Sequence, residues 1–152
     1  SLDLRPAMLD DLGLLPALIW LFGRYTSQTG VKVNVQHSEI ENRRFPTEYE
    51  ITAYRVVQEG LTNVARYAGV NEVTVRLWSS NGFIGIQVED NGAGFDPEAV
   101  FRGGNSRGLV GMRERATSLG GRLNIVSLPG HGTCLSVELP LSGFMERRRN
   151  AR

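Results

Sequence analysis

Cysteine, histidine and lysine are nearly missing from this 152-residue chain: Cys134 is the only cysteine, His37 and His131 are the only histidines, and Lys32 is the only lysine. A single thiol cannot form an internal disulfide, so a reducing, cytoplasmic compartment is expected. Two histidines and one cysteine do not supply a zinc-site spacing. Lys32 follows Val31 rather than a glycine, which removes a Walker A loop, and neither histidine neighbours a nucleophile elbow, which leaves a serine hydrolase unsupported. Long apolar runs are also missing. The longest, Leu12 to Phe22, is broken by Gly13 and Pro16 and falls short of the roughly 18 residues of a membrane span, so no membrane contact is expected of this domain. The N-terminus does not read as a signal peptide. Ser1 in place of methionine is read as the start of a domain cut from a longer protein, one free to carry a membrane anchor of its own.

What is present is the composition of a globular domain, 41% hydrophobic and 22% charged, long enough to bury roughly 70% of the surface of its unfolded form. Seventeen basic residues oppose sixteen acidic ones, but Arg147, Arg148, Arg149 and Arg152 crowd the last six positions. Up to Met145 there are 13 basic and 15 acidic residues, a net charge of −2, which argues against a nucleic-acid groove. One domain over 1–145 and a disordered, solvated basic tail over 146–152 are expected.

Leu14, Leu15, Leu18, Leu21, Phe22 and Tyr25 fall at helical spacing, with Pro16 in a first turn and Gly30 beyond the end. Val31, Val33 and Val35 alternate as a strand. After Pro46 a long helix is predicted, with Ile51, Tyr54, Leu61 and Ala68 as its apolar stripe and Gly69 as its stop. Val73, Val75 and Leu77, then Ile84, Ile86 and Val88, form two alternating runs about Asn81-Gly82, a hairpin with its turn chemistry in place. Gly92 to Gly108 reads as a long loop. A helix from about Leu109 to Leu119 is closed by Gly120-Gly121, and a last hairpin runs through Leu123–Val126 and Leu135–Leu139 around Pro129 to Gly132. Hairpins separated by helices predict an α+β two-layer sandwich, a mixed sheet with its helices on one face.

Glu59, Asn63 and Arg66, at i, i+4 and i+7, share one face of the long helix, away from Tyr54 and Leu61. An acid, an amide and a cation together are either a solvated polar face or part of a site. Glu89 to Phe95 ends an apolar strand in a carboxylate followed by Gly92 and Gly94. Glycine there permits a close backbone approach to a ligand, and the aspartate can accept a hydrogen bond from an amine. The alternatives are a tight acidic turn or a calcium loop, and the latter fails because its later acidic positions are not supplied. Gly103-Gly104 and Gly108 to Gly111 open the next helix, where freed backbone amides suit an anion such as phosphate.

Together these segments resemble a family. Gln58-Glu59-Gly60-Leu61-Thr62-Asn63 is similar to the N box of the GHKL ATPases, and Asp90-Asn91-Gly92-Ala93-Gly94 to the first glycine box. Gly108-Leu109-Val110-Gly111-Met112 is similar to the second, and Gly130-His131-Gly132-Thr133 to the closing glycine-threonine motif. Arg113-Glu114-Arg115-Ala116, and Leu4-Arg5-Pro6 followed by Leu12-Gly13-Leu14, resemble sensor histidine kinases of the nitrate and nitrite sensor type. The resemblance spans about residues 2 to 141. It implies the Bergerat ATP-binding fold, with nucleotide between the long helix and a glycine-rich lid.

By that resemblance Asp90 accepts from the adenine amino group, with Thr133 beside it through water. Asn63 ligates Mg²⁺ between the phosphates, and Glu59 is the catalytic residue, orienting a metal-bound water or assisting proton removal. Arg66 faces phosphate, and Gly108, Leu109, Gly111 and Met112 present backbone amides to it. Gly92, Gly94 and Arg107 complete the expected ATP-binding set, together with Tyr67, which stands where the family has histidine and brings one hydrogen-bond donor but no charge. Arg102 and Arg107 in the lid are each a phosphate arginine or a solvated loop charge.

The resemblance implies the catalytic domain of a two-component sensor histidine kinase. Its substrate is Mg-ATP, and its partners are a histidine-bearing dimerisation domain of a homodimeric parent and a response regulator. The alternatives are a serine kinase of the anti-sigma-factor type, which shares the implied fold, and a nucleotide-dependent conformational module of the same superfamily.

Overall fold

The computed structural model describes residues 5–103 and 107–142, together with the backbone but not the side chain of Arg107. Leu4, Gly104, the boundary expected at residue 145 and the basic tail lie outside the described residues.

Glycine sets the ends of the first helices. Helix α1 (Ala7–Leu12) stops at Gly13, whose φ of 96° is a left-handed value unsuited to side chains. Helix α2 (Leu14–Thr29) follows, and its Gly30 cap, also left-handed, donates its N–H to the Thr26 carbonyl at 2.8 Å. The apolar stripe read for α2 is buried at Leu14, Leu18, Leu21, Phe22 and Tyr25, with Leu15 partly covered. Strand β1 (Lys32–Ser38) comes next. Val33 is only partly covered and Val35 is exposed, because β1 is an edge strand.

Helix α3 (Thr47–Asn63) begins after Pro46 with Glu48 and Glu50 in its first turn, where acidic side chains favour a helix start. Glu50 is buried and accepts from Arg44 twice, at 3.1 Å each, and from the Phe45 N–H at 3.2 Å. Arg44 also donates to the Asp10 carbonyl at 3.0 Å, tying the end of α1 to the start of α3. Tyr54, Leu61 and Ala68 of the predicted stripe are buried and Ile51 partly so; Tyr49, Ala53, Val56 and Val57 join them.

The predicted helix continues to Gly69 with a change of geometry: Val64–Ala68 form a π turn before Gly69 at φ 69°. Strands β2 (Glu72–Ser80) and β3 (Phe83–Asp90) make the expected hairpin. Asn81 and Gly82 both take positive φ, 51° and 81°, as a two-residue turn with the right twist requires.

The segment expected as a long loop contains helix α4 (Pro97–Arg102). Asp96 caps it by accepting from the Glu98 N–H at 3.1 Å, and Pro97 occupies the first turn. α4 buries no residue fully, so no apolar periodicity betrays it. Helix α5 (Arg107–Ser118) starts two residues earlier than predicted and takes in Gly108 and Gly111. Strands β4 (Arg122–Ser127) and β5 (Thr133–Pro140) close the fold as the expected hairpin.

The strands form one sheet in the order β1-β2-β3-β5-β4, with β1 parallel to β2 and the other pairs antiparallel. Register places Val75, Val88 and Leu135 in one buried row and Leu77, Ile86 and Val137 in the next. The helices cover this face. The opposite face is polar: Arg76 donates to Gln36, Gln87 and Glu89 across three strands at 3.1 to 3.2 Å. The result is the predicted mixed α+β two-layer sandwich.

Candidate functional site

A cavity of about 950 Å³ opens between the C-terminal half of α3, the end of β3, the start of β5 and the segment carrying α4. That volume suits a nucleotide-sized ligand. One wall is the face read from helical spacing: Glu59, Asn63 and Arg66 all line it, with Tyr67 alongside. The π turn gives Tyr67 this place; it is 68% exposed, a side chain at the mouth of the cavity. Asp90 and Thr133 sit opposite one another in the β3–β5 ladder and line the inner end. Gly94, Gly108 and Leu109 complete the predicted residues found in the wall.

Asp90 is buried, and burial raises its carboxyl above the ordinary aspartate value. The Gly92 N–H donates to Asp90 Oδ1 at 2.8 Å and works the other way, while the neighbouring Glu89 charge adds to the rise. One oxygen is thus anchored to the chain, and the other is left for a ligand donor.

The first glycine box is built for protein contacts more than for the ligand approach expected of it. A Cβ on Gly92 would fall 2.3 Å from the Ala68 carbonyl oxygen, and one on Gly94, at φ 66°, would fall 2.0 Å from that of Leu128. Ala93 bridges the same two segments, donating to the Ala68 carbonyl at 2.9 Å and accepting from the Gly130 N–H at 2.6 Å. The loop after β3 is clamped between the π turn and the β4–β5 turn, which holds Asp90 in place. Gly108 is different. A Cβ there would meet Glu59 Oε1 at 1.8 Å, so the start of α5 lies against the carboxylate expected to be catalytic.

Three predicted residues lie outside the cavity wall. Gly92 is behind it; Gly111 and Met112 are inside α5, and Met112 is buried in the core. The second glycine box therefore offers Gly108 and Leu109 to the cavity, and Gly111 and Met112 shape the helix behind them. Arg102 is 71% exposed and 3.7 Å from Glu98, and it does not line the cavity. Arg107 is a described position in α5 whose side chain is outside the description.

Other wall residues carried no chemical signal in the sequence. Val64, Val88 and Leu135, with Phe95, Ala99 and Val100 of the lid segment, supply an apolar lining suited to a flat base. The lid segment is held by α5, where the Arg113 guanidinium lies 4.0 Å from the Phe101 ring centroid. Behind Thr133 stands Ser127, buried and hydrogen-bonded to it at 2.7 Å. Among the described residues no group of three acidic, histidine or cysteine side chains gathers to hold a metal, and no helix is long and apolar enough to cross a membrane.

Comparison with known proteins agrees with this geometry. The histidine kinase domain of the blue-light activated histidine kinase of Erythrobacter litoralis EL346 superposes with a TM-score of 0.67 at 27% identity, over 84% of this chain and 60% of that one. A longer structure of that kinase matches equally, over 85% of this chain and 42% of that one. Full-length ShkA in complex with AMPPNP shares the fold at 20% identity, with a TM-score of 0.65, over 92% of this chain and 31% of its own length. The chain thus spans less than two thirds of each of these relatives. The model of the family described as histidine kinase-, DNA gyrase B- and HSP90-like ATPase matches residues 48–143. With most of the chain inside that match and every cavity wall drawn from it, this chain belongs to the histidine kinase-, DNA gyrase B- and HSP90-like ATPase family, in its Bergerat-type α+β fold.

Proposed function

We propose that this chain is the ATP-binding catalytic domain of a cytoplasmic two-component sensor histidine kinase of the nitrate and nitrite sensor type. It transfers the γ-phosphoryl group of Mg-ATP to a histidine on a separate dimerisation domain of its homodimeric parent, from which a response regulator receives it. The observation that carries this reading is the meeting, in one cavity, of a buried carboxylate and a half-buried hydroxyl at the inner end with an acid, an amide and a cation at the outer end. Asp90 and Thr133 receive the adenine; Arg66 and the start of α5 face the phosphates; Glu59 orients the transfer. ShkA, which carries AMPPNP, supports a nucleotide as the ligand.

Asn63 fits a Mg²⁺ role. Its amide offers one hard oxygen donor on the cavity wall, and no acidic cage competes among the described residues; magnesium is commonly held by few protein ligands plus substrate phosphates. When bound, the ion neutralises charge on the phosphates. Asn63→Ala is expected to remove most of the difference in ATP affinity between Mg²⁺ and chelator, measured by calorimetry. A variant that keeps the full metal effect places the ligand elsewhere.

The acceptor lies outside this chain. His37 is at the β1 edge, paired with Glu41, and His131 is in the β4–β5 turn; neither lines the cavity. Incubation with γ-labelled ATP is expected to leave this chain unlabelled on histidine. Adding the parent's dimerisation domain restores acid-labile label slowly, because a tether that normally supplies roughly millimolar effective concentration is missing. Acid-labile label on this chain alone contradicts the acceptor assignment. Acid-stable label on a protein substrate favours a serine kinase, and ATP binding without any transfer favours a conformational module.

A further inference from the structure

At the inner end of the cavity three strands bring three polar side chains into one row. Asp90 on β3 pairs with Thr133 on β5, and Thr133 pairs with Ser127 on β4. Directly opposed residues in antiparallel strands project to the same face. Asp90 and Thr133 line the cavity, while Ser127 is buried behind them.

The Ser127 hydroxyl has three partners. The Phe95 N–H, where the chain enters the lid segment, donates to it at 2.9 Å; it reaches the Gly132 carbonyl oxygen at 2.9 Å; and it lies 2.7 Å from the Thr133 hydroxyl. A hydroxyl has one proton and two lone pairs. The Phe95 amide can only donate and takes one lone pair. The Gly132 carbonyl can only accept and takes the proton. The remaining lone pair must receive the Thr133 proton, so Thr133 turns lone pairs, and no proton, toward the cavity. Ionised Asp90 is likewise an acceptor only, with Oδ1 already committed to the Gly92 N–H.

We infer that Ser127 is a positioning residue that makes Thr133 an obligate acceptor and thereby tunes the base pocket for a purine with an amino group at position six. This rests on the ATP reading above. A purine with a carbonyl at that position, as in inosine or guanine nucleotides, sets an acceptor against Asp90 where the amino group would donate and exchanges the N1 lone pair for a proton, so the donor and acceptor pattern fixed by Asp90 and by the water on Thr133 is no longer matched. The same hydroxyl holds the entry to the lid segment through Phe95, so base recognition and lid position share one proton arrangement.

The experiment compares ATP and ITP binding by calorimetry for the wild-type chain, Ser127→Ala, Ser127→Cys and Ser127→Thr, with thermal unfolding as the check of folding. The wild type is expected to prefer ATP about tenfold or more, and Ser127→Ala to narrow that ratio by about fivefold as Thr133 gains freedom to donate into the cavity. Ser127→Cys keeps the size of the side chain but offers only a weak acceptor and narrows the ratio in the same direction, which covers an alanine variant that does not fold. Ser127→Thr keeps the hydroxyl and retains the wild-type ratio. A general loss of packing would weaken both nucleotides and leave the ratio alone. Folded alanine or cysteine variants with the wild-type ratio overturn the role of Ser127, as does a threonine variant that loses it. Equal binding of ATP and ITP by the wild type instead overturns the adenine reading, and this proposal with it.

Discussion

Glu59→Gln is expected to lower phosphoryl transfer to the parent's histidine domain by about 100-fold or more, the usual worth of a positioned proton-transfer group, while ATP affinity holds or rises. Glu59 lines the cavity, at the end proposed to hold the phosphates, and its carboxylate lies against the start of α5, within 1.8 Å of where a Cβ on Gly108 would be. Glutamine keeps the shape but can neither take up a proton nor orient a water by charge. The charge it removes would stand beside the triphosphate, so ground-state binding loses repulsion rather than attraction. Rates under single-turnover conditions, with ATP affinity measured in parallel, separate the two effects. Transfer at the wild-type rate would assign the proton step to another group, and a parallel fall in affinity and rate would make Glu59 a binding residue.

Asp90→Asn is expected to weaken ATP about tenfold or more with the fold intact. A hydrogen bond to a charged acceptor is worth roughly 1.5–3 kcal/mol, and ~1.4 kcal/mol is a decade in affinity. The amide has one acceptor oxygen for two donors, so if the oxygen keeps the bond from the Gly92 N–H its –NH₂ group faces the amino group of adenine, and if it turns to the base the –NH₂ group faces the Gly92 N–H. Because burial raises the Asp90 carboxyl, the wild-type preference for ATP over ITP is expected to fade as pH falls, beginning above the range of an exposed aspartate. The asparagine variant shows no such step. Unchanged ATP affinity by calorimetry would remove Asp90 from the adenine site.

Much of this site is legible in one dimension. Glu59, Asn63 and Arg66 line the same wall because a helix returns to one face every three to four residues. Tyr54 and Leu61, off that phase, are buried as expected. The Asn81-Gly82 turn and the Gly30 and Gly69 stops are equally local, since the backbone angles they need favour those residues. Helix α4 reads as loop in the sequence: six residues that bury no side chain fully carry no period to read, although Asp96-Pro97-Glu98 is the chemistry of a helix start.

Position along the chain and chain-local chemistry therefore suffice for the three longer helices, the hairpins, the two-layer class and most of the polar residues that line the cavity. They do not reach contacts made across the sheet. That β5 inserts between β3 and β4, setting Thr133 between Asp90 and Ser127, follows from burial shared by distant strands. The π turn that brings Tyr67 to the cavity mouth, the burial of Met112 away from it, and the clamping of Gly92 and Gly94 by the carbonyls of Ala68 and Leu128 arise in the same way. Periodicity tells which face of a segment is apolar; only packing the segments together tells which neighbour that face meets, and with it which lone pair or proton a buried hydroxyl has left to offer.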